Sequence, residues 1–130
     1  ILLQAVSAFR SFEYQEEVYL RYKTPDSSME EYQKERDKVS ARPGYSEHQT
    51  GLAVDINDLE ETFELTPAGI WLAANSYYFG YILRYPKGKE AVTGYSYEPW
   101  HFRYIGRKHA EAVHASELTF DEYATRYLPF

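Results

Sequence analysis

The sequence predicts an α+β domain, in which a small, mainly antiparallel sheet has helices packed against it. Short strand-like segments alternate irregularly with capped helical segments, which is typical of that class. The chain has 130 residues and contains no repeat or low-complexity segment. That length suits one domain with a single modest core, so residues 1–130 are interpreted as one domain.

The first part of the chain predicts one strand and two helices. Residues 4–9 form a short apolar stretch with β character. Ser11 is a suitable N-cap for a helix over residues 12–22. Ser28 and Glu31 form a capping box, which opens a charged helix that we expect to reach residue 38.

The second part predicts three strands and three helices. Residues 52–56 form a buried strand, and Thr66-Pro67 begins a helix that Gly80 ends. Residues 80–85 and 97–104 are predicted strands separated by a Pro- and Gly-containing loop. The chain ends in helices over residues 106–116 and 119–127, and Thr119 with Glu122 forms a second capping box.

Composition excludes several classes of function. The net charge is −6 and no Lys/Arg cluster forms a basic stripe, so we expect no nucleic-acid partner. The absence of cysteine excludes disulfides, thiolate metal sites and a cysteine nucleophile. No apolar run of about 18 residues exists, so this segment is not expected to insert into a membrane. The chain begins without Met, and we expect it to be excised from a longer protein with an N-terminal signal or anchor.

Two segments carry the residues best suited to catalysis. The first runs from Ser46 to Asp55 and includes His48, and the second is Glu98-Pro-Trp-His101. Two imidazoles and a carboxylate suit zinc, and three protein ligands leave a fourth tetrahedral position open, as in catalytic zinc sites. The alternative is that these residues are hydrogen-bonded structural groups, since spacing alone is a weak signal.

The spacing of the candidate ligands requires a turn or bend in each segment. His48 and Asp55 are seven residues apart, so a straight strand would point them to opposite faces. His48 must therefore lie in a turn, with Gly51 supplying backbone freedom before the strand. Glu98 and His101 are three apart with Pro99 between them, so a bend is needed to bring both to one site.

Both segments resemble the motifs of the VanY-type D-alanyl-D-alanine carboxypeptidases, zinc metallopeptidases related to lysostaphin and the hedgehog domain. The pattern Ser46-x-His48-x-x-Gly51-x-Ala53-x-Asp55 is followed by Glu98-Pro-Trp-His101, in the family's order. The resemblance extends to residues 40–45, to residues 102–104, and to Val6-Ser-Ala-Phe-Arg-Ser11 with Gln15. Ala8 and Phe9 depart from the Gly and Tyr usual there, which affects the substrate cleft rather than the metal site.

The resemblance implies a role for each matching residue. It implies that His48, Asp55 and His101 bind one Zn²⁺ in a cleft on the sheet. It implies that Glu98 is the general base and acid, and that Arg10 handles the substrate's charge. Gln15 and Ser46 match positions that we expect in the substrate cleft.

The implied function is removal of the terminal D-Ala from peptidoglycan stem peptides, with D-Ala-D-Ala favoured. L,D-cleavage of tetrapeptides suits the same motifs, and a cell-wall endopeptidase or a non-catalytic zinc-binding domain are further alternatives. We expect an extracytoplasmic, cell-wall-facing monomer.

Other polar residues are given ordinary roles. His109 and His114 are five apart on a helix, about 140° around its axis, so they cannot easily share a metal. Trp100 is expected to pack beside the metal, and the acidic residues Asp58, Glu60, Glu61 and Glu64 to lie in a solvated loop. Arg10 has one structural alternative, an ion pair with a nearby Glu such as Glu13.

Overall fold

The computed structural model describes residues 1–129, and four strands of these residues form one antiparallel sheet. The strands are β1 (Ala5–Ser7), β2 (Ala53–Ile56), β3 (Tyr81–Leu83) and β4 (His101–Tyr104), in the order β1-β2-β4-β3. The helices are α1 (Phe12–Leu20), α2 (Met29–Arg36), α3 (Pro67–Asn75), α4 (Glu90–Thr93), α5 (Arg107–Ser116) and α6 (Phe120–Tyr127). Short 3₁₀ helices span Glu47–Thr50, Glu61–Leu65 and Ser76–Phe79. The predicted α+β class is confirmed.

The register of the sheet separates two faces. In the pairing of β2 with β4, Asp55 lies opposite His101 and Val54 lies opposite Phe102. Because side chains alternate across a strand, Asp55 and His101 project from one face and Val54 and Phe102 from the other. The polar pair therefore belongs to a face different from that of its apolar sequence neighbours.

Each face is covered by its own core. On the Phe102 side, the buried residues Phe63, Ala68 and Leu72 from the Glu61–Leu65 helix and α3 pack together with Phe102. Ile82 of β3 packs instead with Ala110, Val113 and Tyr123 of α5 and α6. The C-terminal helices thus cover the β3 end of the sheet.

The predicted caps form as expected. Ser11 accepts a hydrogen bond from the backbone N–H of Tyr14, and Thr66 accepts one from Gly69 with Pro67 at the first helical position. Both capping boxes, at Ser28 and at Thr119, are complete. Side-chain caps therefore determine where four of the helices begin.

Several element boundaries differ from the prediction. The strand expected over residues 97–104 begins only at His101, because the bend through Pro99 keeps the preceding residues out of the ladder. The helix expected to reach Gly80 ends at Asn75 and continues as a 3₁₀ helix, which Gly80 closes with φ 88°. α1 and α2 end two residues earlier than predicted, at Leu20 and Arg36.

Two segments expected to be loops contain helix. The stretch between β3 and β4 includes α4, and the acidic run after β2 includes the Glu61–Leu65 helix. Phe63, buried in that run, anchors it to the core, which the acidic composition concealed. Within residues 1–129, no helix combines the length and apolarity needed to cross a membrane.

Candidate metal centre

His48 lies in a turn, as its spacing from Asp55 requires. The 3₁₀ helix Glu47–Thr50 carries it, and the side chain of Ser46 caps that helix by accepting from the backbone N–H of His48. Gly51 ends the helix in the left-handed region, with φ 76°, and β2 follows two residues later. The turn brings His48 and Asp55 to the same side of the sheet.

Backbone contacts orient the imidazole of His48. Its Nδ1 lies 2.8 Å from the carbonyl oxygen of Ala8, which can only accept, so Nδ1 carries the hydrogen. The free lone pair is then on Nε2, which lies 3.3 Å from Oδ1 of Asp55. His48 therefore presents Nε2 to the site.

Asp55 and His101 complete the cluster from adjacent strands. The Oδ1 atom of Asp55 lies 3.1 Å from Nδ1 of His101. One ligand atom from each of His48, Asp55 and His101 lies within 4.8 Å of the others, and all three residues are buried. The arrangement is suitable for one metal ion.

The carboxylate of Asp55 is favoured in its ionised form. Burial raises its pKa, but the contacts with the imidazoles of His101 and His48 outweigh burial and lower the pKa to about 2. For His101, burial lowers the pKa, and the hydrogen bonds with Asp55 and Glu47 outweigh it and raise the pKa to about 9. The site thus attracts positive charge, whether a proton or a metal cation.

Glu98 lies beside the cluster. The bend Glu98-Pro99-Trp100 leads into β4, and the backbone N–H of His101 donates to the carbonyl of Glu98. The carboxylate oxygen Oε2 of Glu98 is 3.6 Å from Nδ1 of His101. Burial and the negative charge of Asp55 raise the pKa of Glu98 to about 7, although the positive charges of His101 and Arg10 act to lower it. A carboxyl group with such a pKa can both take up and release a proton near neutral pH.

Arg10 is held at the rim of the cluster by three hydrogen bonds. Its Nε donates to Ser7 at 2.9 Å, Nη1 donates to Oε1 of Gln15 at 3.0 Å, and Nη2 donates to Oδ2 of Asp55 at 3.2 Å. The ion pair is therefore with Asp55, and the alternative pairing with Glu13 is wrong. Gln15 is fully buried, and its amide nitrogen donates to the carbonyl of Ala41 at 2.7 Å.

Sequence reasoning missed Glu47. Its Oε1 lies 2.7 Å from Nε2 of His101, and its Oε2 accepts from Nε of Arg84 at 3.1 Å and from Nη1 of Arg103 at 3.0 Å. Burial raises the pKa of Glu47, but the hydrogen bond to His101 and the charges of His101, Arg84 and Arg103 outweigh it and lower the pKa to about 2. The only sequence signal was the position of Glu47 inside the first motif.

A single cavity of about 550 Å³ contains all the predicted site residues. Its wall includes His48, Asp55, His101, Glu98, Arg10, Gln15 and Ser46. Tyr85, Tyr95 and Trp100 line the same cavity. Trp100 also packs against the core around Phe102, in agreement with the prediction that it packs beside the metal cluster.

The remaining histidines lie elsewhere. Nδ1 of His109 is 3.0 Å from the hydroxyl of Tyr123. His114 stacks on Tyr77, with ring centroids 3.8 Å apart. The only cluster of candidate metal ligands among residues 1–129 is the one at His48.

Known proteins with similar sequences include D-alanyl-D-alanine carboxypeptidases. The family model of the VanY D-alanyl-D-alanine carboxypeptidases matches residues 1–107. A D-alanyl-D-alanine carboxypeptidase of Enterococcus faecalis is 40% identical over 123 residues, which is 90% of this chain and 45% of the relative. The chain spans less than half the length of the curated relatives that it matches.

Solved structures share the fold. VanYB in complex with D-alanine-D-alanine superimposes with a TM-score of 0.84 at 37% identity, over 98% of this chain and 72% of that one. A VanY D,D-pentapeptidase variant in complex with Zn(II) gives a TM-score of 0.80 at 37% identity, over 95% and 71%. The LD-carboxypeptidase LdcB gives a TM-score of 0.82 at 40% identity, over 95% and 58%. The chain belongs to the VanY family of D-alanyl-D-alanine carboxypeptidases.

Proposed function

We propose that this chain is a zinc peptidase domain that removes the terminal D-alanine from peptidoglycan stem peptides, with D-Ala-D-Ala favoured. The observation that carries the proposal is the shared cavity. One space holds a metal-ligand cluster, a buried carboxyl group whose pKa lies near neutral, and an arginine. Those are the components needed to hydrolyse a peptide bond next to a free chain end.

The donor set of the cluster fits zinc. Nε2 of His48, Oδ1 of Asp55 and Nδ1 of His101 are nitrogen and oxygen donors, and three protein ligands are typical of catalytic zinc sites. When bound there, zinc would polarise the scissile carbonyl and lower the pKa of a water ligand to about 7.

Glu98 is proposed as general base and acid. Its carboxylate lies close enough to the cluster to take a proton from the attacking water and to pass it to the leaving amine. Its pKa near 7 supports both transfers, because neither protonation state is strongly favoured at neutral pH. No covalent intermediate with the chain is required.

Arg10 is proposed to recognise the substrate's terminal carboxylate. A guanidinium has five N–H donors, of which three are used by Ser7, Gln15 and Asp55. Two N–H groups are left to meet a carboxylate through charge-assisted hydrogen bonds. The side chain is 13% exposed, so such bonds would form in a site largely shielded from water.

Gln15 and Ser46 are proposed to shape the substrate cleft. Both lie in the cavity wall, yet the amide of Gln15 is engaged by Arg10 and Ala41. Gln15 therefore acts mainly by holding Arg10 in place. The hydroxyl of Ser46 accepts from the backbone of His48 and can still donate to a substrate carbonyl.

The same site suits L,D-cleavage of tetrapeptides, and the similarity to the LD-carboxypeptidase LdcB favours that second candidate. Arg10 is proposed to bind the carboxylate of the departing D-alanine, and the metal cluster to act on the scissile carbonyl before it. Both substrates present these two groups. We further propose that the domain acts as a monomer, outside the cytoplasm and facing the cell wall.

Chromatography of muropeptides incubated with the zinc-loaded domain tests this function. The proposal predicts the loss of one alanine from stem peptides. Cleavage of cross-bridges would favour an endopeptidase, and unchanged muropeptides together with tight zinc binding would favour a non-catalytic domain. Comparing tetra- with pentapeptides separates L,D- from D,D-cleavage.

A further inference from the structure

We propose that Glu47 is a positioning residue that holds the ring of His101 in the orientation required for metal binding. The inference rests on the proposed function only for the identity of the metal. It goes beyond the three ligands and the general base, because Glu47 approaches His101 from the side away from the cluster.

The two nitrogens of His101 have different partners. Nδ1 faces Asp55 at 3.1 Å, within the cluster, whereas Nε2 lies 2.7 Å from Oε1 of Glu47. An ionised carboxylate only accepts hydrogen bonds, so Nε2 carries a hydrogen towards Glu47. When a metal replaces the proton on Nδ1, this contact keeps the hydrogen on Nε2 and leaves the lone pair of Nδ1 for the metal. Histidine ligands commonly donate their second N–H to a carboxylate, which fixes the tautomer and makes the ring a better ligand.

Glu47 is itself held firmly. Its Oε2 accepts from Arg84 and Arg103, and its side chain is only 10% exposed. Arg84 also forms a paired contact with Asp121 of α6, with N–O distances of 2.6 and 3.2 Å. The carboxylate that orients His101 is thus anchored to β4 through Arg103. Through Arg84 it is also anchored to the end of β3 and to α6.

A purely structural ion pair would not require the contact with His101. Arg84 and Arg103 both bind Oε2, so the charge of Glu47 is compensated without using Oε1. Oε1 instead forms the shortest contact of the Glu47 side chain, and it does so with the nitrogen that does not face the cluster. This division between the two oxygens supports a role in orienting the ring.

The test measures zinc affinity and the tautomer of His101, neither of which depends on turnover. Glu47→Ala is expected to raise the zinc Kd by about 10–100-fold in competition with a chromophoric chelator. Glu47→Gln keeps an acceptor for Nε2–H, so its zinc Kd should lie between those of Glu47→Ala and the wild type. In metal-free protein above the titration of the imidazole, ¹⁵N NMR should show His101 as the Nε2–H form in the wild type and as a mixture in Glu47→Ala.

Asp121→Asn is the matched control, because it removes a carboxylate from the same network without touching His101. Its zinc Kd should stay close to wild type. The proposal is overturned if the zinc Kd of both Glu47 variants is within twofold of the wild-type value. It is also overturned if Asp121→Asn raises the zinc Kd as much as Glu47→Ala does. If the wild type did not bind zinc, the proposed function would fail, and the tautomer measurement would still decide the role of Glu47. If Glu47→Ala does not fold, the zinc Kd and the tautomer of His101 are both measured on Glu47→Gln.

Discussion

Asp55 and His101 lie directly opposite each other on β2 and β4, and their side chains meet at 3.1 Å on the same face of the sheet. Cross-strand partners have Cβ atoms about 4.5–5.5 Å apart, which is close enough for both to reach one ion. The antiparallel register therefore sets the distance between two of the three candidate ligands. The third, His48, is added by the turn that precedes β2.

Loss of any one ligand should release the metal. His48→Ala and His101→Ala are each expected to reduce bound zinc well below one equivalent, because two remaining ligands cannot form the tetrahedral site. Metal analysis after gel filtration measures this. His114→Ala, which removes a histidine stacked on Tyr77, is the control and should keep its zinc. A full equivalent of tightly bound zinc in either ligand variant would contradict the assignment.

Glu98→Gln should separate chemistry from metal binding. The substitution preserves shape but removes the base, so kcat should fall by about 10²–10⁴-fold. Zinc content should be unchanged, because Glu98 is outside the three-ligand cluster. Turnover near that of wild type would exclude Glu98 as the general base.

The loss of activity at low pH should follow the protonation of Glu98. A base must be ionised, and burial raises the pKa of Glu98 from 4.5 to about 7, so activity should be lost as pH falls through that interval. Zinc, as a neighbouring cation, shifts the pKa back downwards, which places the midpoint of kcat/KM between these two values.

Zinc dissociation at low pH would also produce an acid limb, since protons compete for the ligands. Zinc occupancy is therefore measured at each pH. A profile that is flat from pH 4.5 to 8 at constant occupancy would contradict the role of Glu98.

Arg10→Ala should weaken recognition of the chain end. Removing the guanidinium is expected to cost about 2–5 kcal/mol in kcat/KM. Amidation of the substrate's C-terminus should lower kcat/KM strongly in the wild type. In Arg10→Ala it should lower kcat/KM little, because the guanidinium that binds the carboxylate is already absent. Measuring both substrates on both proteins closes a double-mutant cycle.

Zinc content must be measured in the same cycle, because Arg10 also holds Oδ2 of Asp55. If the free-energy losses from Arg10→Ala and from substrate amidation simply add, Arg10 does not bind the terminal carboxylate. Arg21, which lines the same cavity, would then be the next candidate.

The sequence predicted the elements that depend on local signals. The caps at Ser11, Ser28, Thr66 and Thr119 all form, and the turn with Gly51 is present where the spacing of His48 and Asp55 requires it. The seven site residues named from the sequence motifs all line one cavity.

The parts that depend on tertiary contacts could not be predicted. Nothing local shows that Phe63 anchors an acidic segment, or that Arg10 pairs with Asp55 across 45 residues of sequence. Glu47 was overlooked for the same reason, because its partners Arg84 and Arg103 come from β-strand regions far along the chain.

Release of D-alanine from a synthetic stem pentapeptide ending in D-Ala-D-Ala tests the central claim most directly. The zinc-loaded domain should release one D-alanine per peptide, chelation should abolish the release, and added zinc should restore it. The tetrapeptide product should accumulate without further cleavage if D,D-specificity holds. Equal release in the presence of chelator, or no release from either the penta- or the tetrapeptide by a fully zinc-loaded domain, would contradict the account.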